Sequence, residues 1–144
     1  MPLYFVETSV SEHRGLLCRY ADRLFTEGRR VQIVVDSTSA AQFIDQMLWT
    51  FSQSSFVPHA LAGPEKGDIP DEPVLIVIGQ KRLAGFDALL CDSAAALDFM
   101  SLFETAYHFV LLDDAEKRQE SRLLWQEARE LGMNPVHVPH DPPR

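Results

Sequence analysis

The sequence predicts an α/β fold, a single three-layer sandwich in which helices cover both faces of a mainly parallel sheet. Three observations predict it. Short uninterrupted apolar runs, VQIVV (31–35) and VLIVIG (74–79), have the character of strands buried on both faces. Stretches with apolar residues at helical spacing alternate with such runs, and this alternation implies right-handed βαβ crossovers. The 144 residues, 46% hydrophobic and 24% charged, suffice for one packed core. No internal repeat or linker divides the chain, so 1–144 is read as one domain.

Taken in order, LYFV (3–6) is a short buried strand. Residues 11–27 then place Leu16, Leu17, Tyr20, Ala21, Leu24 and Phe25 at helical spacing, with Ser11 as the expected N-cap, Glu12 in the first turn and Gly28 as the stop. VQIVV is β-branched and bounded by Arg30 and Asp36, hence a second strand. A helix capped by Ser37 or Ser39 follows, through Phe43, Ile44, Met47, Leu48 and Trp49. SSFVPHALAG (54–63) comes next. It is apolar at Phe56, Val57, Pro58 and Leu61, yet its Pro and Gly argue against a regular element, and Ala60 to Ala62 reads as a buried turn.

GPEKGDIPDEP (63–73), rich in Pro, Gly and charge, is a flexible loop. VLIVIG is the third strand and runs into QKRLAG, while FDALLCD (86–92) is a weaker strand candidate. Residues 94–104 suggest a short helix carrying Leu97, Phe99, Met100 and Phe103. AYHFVLLD (106–113) is a strand, AEKRQESRLLWQEARELG (115–132) a helix and NPVHV (134–138) a last short strand. The proline-rich tail, about 139–144, is expected to fray.

Several function classes are disfavoured. A net charge of −8 argues against a protein that coats nucleic acid, because duplex affinity comes mainly from phosphate neutralisation. No apolar run approaches the ~18 residues that span a bilayer. The N-terminus lacks the pattern of a signal peptide, which makes the cytoplasm the expected location. Cys18 and Cys91 read as small buried hydrophobes and not as a disulfide.

The connection ETSVSE holds no G-x-G-x-x-G, the chain has neither a P-loop nor a G-x-S-x-G elbow, and GPEKGD precedes a strand where a phosphate loop would open a helix. His13, His59, His108, His137 and His140 are scattered, so no metal site is expected. Asp36 stands at the tip of the second strand, where α/β sheets often bind ligands, although a carboxylate preceding a helix is also a common capping residue. A small α/β enzyme or nucleotide-binding protein using Asp36 and the loop at 63–73 is the alternative function. A non-enzyme, with no catalytic residues, no cofactor and no metal, is the favoured one.

The last helix carries the sharpest signal. At 100° per residue Leu124, Ala128 and Leu131 share the sector expected to pack on the sheet, flanked by Ser121. Arg118, Arg122 and Arg129 align within roughly 40° of one another. Trp125 borders that stripe. Arginine forks beside a tryptophan suit an anionic group that carries an aromatic or apolar neighbour, such as a peptide ending in a carboxylate next to an aromatic residue.

Leu48-Trp49, SSFVPHALAG, the loop after it, and a buried strand followed by Gln80-Lys81-Arg82 resemble the family of the chi subunit of bacterial DNA polymerase III. The resemblance covers nearly the whole chain. It is specific at Trp49–Gly63 and Gln80–Arg82 and pattern-level elsewhere. It implies a Rossmann-like fold without nucleotide chemistry and a non-catalytic accessory subunit of the clamp-loader assembly in DNA replication. Such a subunit pairs with psi and binds the acidic, phenylalanine-terminated tail of single-stranded-DNA-binding protein, touching DNA only indirectly and no membrane. It works in the bacterial cytoplasm, at the nucleoid and replisome.

Carried over by position, the resemblance implies a psi-facing surface of Trp49 and Phe56 with Val57, Pro58, His59 and Leu61. It implies a tail-binding surface of Arg118, Arg122 and Trp125 with Leu111. One turn after Arg122, where the family has a basic residue, this chain has Gln126, and Arg129 compensates in part. The sequence leaves open a helicase as a further partner at the Phe56 surface, and self-association through it.

Overall fold

The computed structural model describes residues 2–62 and 70–141. Its strands are β1 (Leu3–Thr8), β2 (Val31–Val35), β3 (His59–Ala62), β4 (Val74–Ile78), β5 (Ala88–Cys91), β6 (Thr105–Leu111) and β7 (Val136–Val138). Its helices are α1 (His13–Thr26), α2 (Thr38–Thr50), α3 (Leu97–Met100) and α4 (Ala115–Glu130). Among the described residues the strands form one seven-stranded sheet in the order β3-β4-β2-β5-β6-β1-β7, every neighbouring pair parallel. The fold is the α/β, Rossmann-like sandwich that the alternation predicts.

The central strands read as unbroken apolar runs because both of their faces are covered. Val31, Ile33 and Val35 of β2 point toward α1 and α2, where Leu17, Leu24, Ile44 and Leu48 close the first core layer. Val34 turns to the opposite layer, with Leu75, Leu89, Phe86 and Phe103, under α3 and Ala128 of α4. Each such side chain contributes about 1.5–3 kcal/mol on burial. Gln32 is the polar exception in β2 and is fully buried. Its amide nitrogen donates to the Lys81 carbonyl at 2.8 Å and its oxygen accepts from the Leu83 amide at 2.7 Å, which pins the Gln80-Lys81-Arg82 run against the sheet.

Several boundaries differ from the sequence expectation. Ser11 does not cap α1. The N-cap is Glu12, without a side-chain capping bond, and Ser9 donates to the Glu12 carboxylate at 2.7 Å while accepting from its amide. Ser37 is the cap of α2, accepting from the Ala40 amide at 3.1 Å.

Ala60 to Ala62 is no buried turn but part of the edge strand β3, paired with β4 from His59↔Val74 to Ala62↔Val77. Pro58 lies just before the ladder, so its missing amide interrupts nothing. α4 stops at Glu130, and the chain turns at Gly132 with φ 76°. Leu131 is therefore 65% exposed and not on the packing face.

Of the expected loop at 63–73, residues 63–69 lie outside the described residues, and the Pro73 carbonyl accepts from Val31 at 2.8 Å. Of the tail at 139–144, residues 142–144 lie outside them. His140 is tied down, its amide donating to Glu7 at 3.0 Å and its ring lying 3.1 Å from Glu12. Both cysteines are free and buried, and burial pushes each thiol up to about 12. Among the described residues no helix is long and apolar enough to cross a membrane.

Candidate functional site

At the β3 edge, α2 buries Leu48 and leaves Trp49, the next residue, on its outer face. The chain then crosses under the helix end, held by a Ser55 hydroxyl that donates to Asp22 at 2.9 Å. Successive residues of an extended segment point opposite ways. Accordingly Phe56 is 68% exposed while Val57 is 1% exposed and part of the core. Trp49 is 52% exposed, and its ring meets that of Phe56 edge-on at a centroid distance of 5.8 Å.

His59 lies beneath Trp49 at 4.6 Å between ring centroids, its side chain fully buried. One ring nitrogen is 2.7 Å from the Val57 carbonyl, and the other faces Asp45 through its carbonyl at 3.1 Å and its carboxylate at 3.2 Å. The structure thus places Trp49, Phe56 and Leu61 at the surface with Pro58 half-buried. Val57 and His59 correct the expectation. They hold the platform from below and present nothing to a partner.

The second place is built on α4. Asp114 caps the helix by accepting from the Lys117 amide at 3.0 Å. Arg118 donates to the Leu112 carbonyl at 3.3 Å. Arg118, Arg122 and Trp125 then form one wall of a small cavity of about 210 Å³ over Phe5, Val110 and Leu112. Trp125 is half-buried and meets Phe5 edge-on at 5.1 Å and 84°. Among the described residues neither Arg118 nor Arg122 is in an ion pair.

The opposite wall carries two residues that sequence reasoning missed, His137 of β7 and Glu7 of β1, with 2.9 Å between the His137 Nε2 and a Glu7 carboxylate oxygen. Burial raises the Glu7 carboxyl, but the hydrogen bonds from His137 and the His140 amide outweigh it and hold the group below its ordinary range. Leu111 is a correction. It faces away from this cavity into another at the strand ends, because the alternation of β6 turns Val110 to the α4 side and Leu111 to the other, while Leu112, just beyond the strand, lines the α4 cavity. Gln126 and Arg129 are exposed on α4 and line neither cavity.

That other cavity, about 570 Å³, lies at the carboxyl ends of β2, β5 and β6, where the alternative function would place a ligand. Asp36 is exposed there, and the capping bond belongs to Ser37. Arg14 is held by Asp92 through two bonds of 2.9 and 3.0 Å and lies over the Phe43 ring. Burial lowers the proton affinity of both His13 and His108, the latter to about 4. The turn from Ser9 to Glu12 contains no glycine to admit a phosphate. Among the described residues no cluster of three His, Cys, Asp or Glu could hold a metal ion. Most of the loop invoked by the alternative lies outside the described residues.

A family model described as DNA polymerase III chi subunit, HolC, matches residues 2–136. The DNA polymerase III subunit chi of Escherichia coli (strain K12) is 33% identical over 120 residues, covering 83% of this chain and 80% of that protein. The protein of the same name from Haemophilus influenzae (strain ATCC 51907 / DSM 11121 / KW20 / Rd) is 31% identical over 119 residues, covering 83% of this chain and 81% of its own length.

Proposed function

This chain belongs to the DNA polymerase III chi subunit family, and on that premise we propose that it is a non-catalytic accessory subunit of the clamp-loader complex. In this reading it bridges the psi subunit and the acidic C-terminal tail of single-stranded-DNA-binding protein, in the cytoplasm and at the replisome. One observation carries the reading. Two surfaces with exposed aromatic or arginine side chains stand apart on the molecule, Trp49 with Phe56 at the β3 edge and Arg118 with Arg122 beside Trp125 on α4.

The first suits an apolar protein face, since exposed aromatic rings at an otherwise polar surface are typical interface anchors. The second offers two guanidinium groups to carboxylates and an indole to an aromatic side chain. Pull-down of purified psi and purified single-stranded-DNA-binding protein on the immobilised chain tests the pairing of surface and partner. Phe56→Ala should lose psi and keep the other protein, and Arg122→Ala should do the reverse. Variants that fold and bind both partners as wild type does would overturn the assignment.

A further inference from the structure

We propose that His137 is a fourth ligand-contacting residue of the α4 cavity, beside Arg118, Arg122 and Trp125, and that it binds a ligand carboxylate only when its ring is protonated. The inference rests on the reading of that cavity as the site of an acidic tail. Its geometric basis is the pairing of β7 with β1. His137 stands in register with Phe5, so both side chains project to the face that α4 covers. Glu7, two residues along β1, lies on the same face, and its two carboxylate oxygens are taken by the His137 Nε2 at 2.9 Å and the His140 amide at 3.0 Å.

A carboxylate can only accept, so Glu7 fixes the proton of a neutral His137 on Nε2. The remaining nitrogen, Nδ1, then decides what a ligand meets. In the neutral ring it is a lone pair that repels a carboxylate, and in the cation it is an N–H donor. His137 is 51% exposed, so a ligand in the cavity can reach it.

The charges that face it are few. Glu7 comes from β1, while Arg118 and Arg122 come from α4 across the cavity. Behind Glu7 stands His140, whose ring pairs with Glu12 of the segment before α1. The arginines keep their charge throughout, and the Glu7 and Glu12 carboxyls are both held below their ordinary range. Within the cavity wall the two arginines and Glu7 leave one net positive charge, which protonation of His137 raises to two. Histidine is, as a residue type, the side chain whose charge changes between pH 5 and 8.

The test is titration of the full chain with a synthetic acidic peptide that ends in phenylalanine with a free carboxylate, at pH 8 and pH 6 and constant ionic strength. The wild type should bind about three- to fivefold more tightly at pH 6, as a half-exposed charge contact allows. His137→Gln keeps a donor for Glu7 but cannot become a cation. It should bind as the wild type does at pH 8 and show no gain at pH 6. His140→Gln should keep the gain, and an amidated peptide should lose it. A full gain in His137→Gln, or none in the wild type, overturns the inference while leaving the tail site standing. A wild type that binds the peptide at neither pH overturns both, and a gain that vanishes only in His140→Gln assigns the effect to the wrong histidine.

Discussion

The His108 ring is packed against Phe5 at 4.9 Å between centroids, with Nε2 2.8 Å from the Ser121 hydroxyl. Burial, with a smaller repulsion from His13, lowers its proton affinity to about 4. The unfolded chain takes up that proton near 6.5. Between about 6.5 and 4 the unfolded state therefore holds a proton the folded state refuses, and stability falls as pH falls through that window. The loss is on the order of 3 kcal/mol at the low end. Urea unfolding at pH 6.5 and 4.5 should show it, and His108→Gln should flatten much of the dependence. An unchanged slope in that variant would assign the loss to other groups, His13 first, whose shift has the same sign and the same leading cause. The residue scale was only partly legible in the sequence. Gln32 sits in an apolar strand with nothing nearby to explain it, because its two partners are 49 and 51 residues away. Phe56, Arg118 and Trp125 were legible, since apolar residues beside Pro and an arginine stripe on a helix are local patterns.

At the level of elements, local chemistry decides what the sequence can show. The apolar runs of β2 and β4 and the long pattern of α4 are recognisable because burial on both faces, or on one stripe, repeats within a few residues. β3 was not recognisable. Four residues after a proline carry too little pattern, and only pairing with β4 makes them a strand. Helix starts show the same limit. Ser9, Ser11, Ser37 and Ser39 all satisfy the preference for a capping serine, and geometry selects among them. Only the Ser37 hydroxyl accepts an amide in the first turn of its helix. Ser37→Ala should therefore cost about 1 kcal/mol in chemical denaturation. Ser11→Ala should change stability by less than about 0.5 kcal/mol, as an ordinary surface substitution does. Equal losses in the two variants would contradict the capping geometry.

Across the whole molecule, sheet order sets how far apart the two surfaces lie. β3, which carries Leu61 beside Trp49 and Phe56, is one edge of the sheet, and β7, which carries His137, is the other. Six inter-strand steps of about 4.8 Å separate them, hence roughly 29 Å. No sequence pattern gives that distance, because it depends on the N-terminal β1 lying between β6 and the C-terminal edge strand β7, an arrangement that also joins Glu7 to His140 across 133 residues. It also explains why the wall facing α4 joins Glu7 and His137 from opposite ends of the chain. Sites this distant that share no side chain should act independently, with coupling below about 0.5 kcal/mol. Saturating the chain with psi should then change the affinity for the acidic peptide by no more than about twofold. A complex of all three components should be seen by analytical ultracentrifugation at concentrations above both dissociation constants. Competition between psi and the peptide would mean that the two surfaces are linked through the sheet, or that one of them has been assigned to the wrong partner.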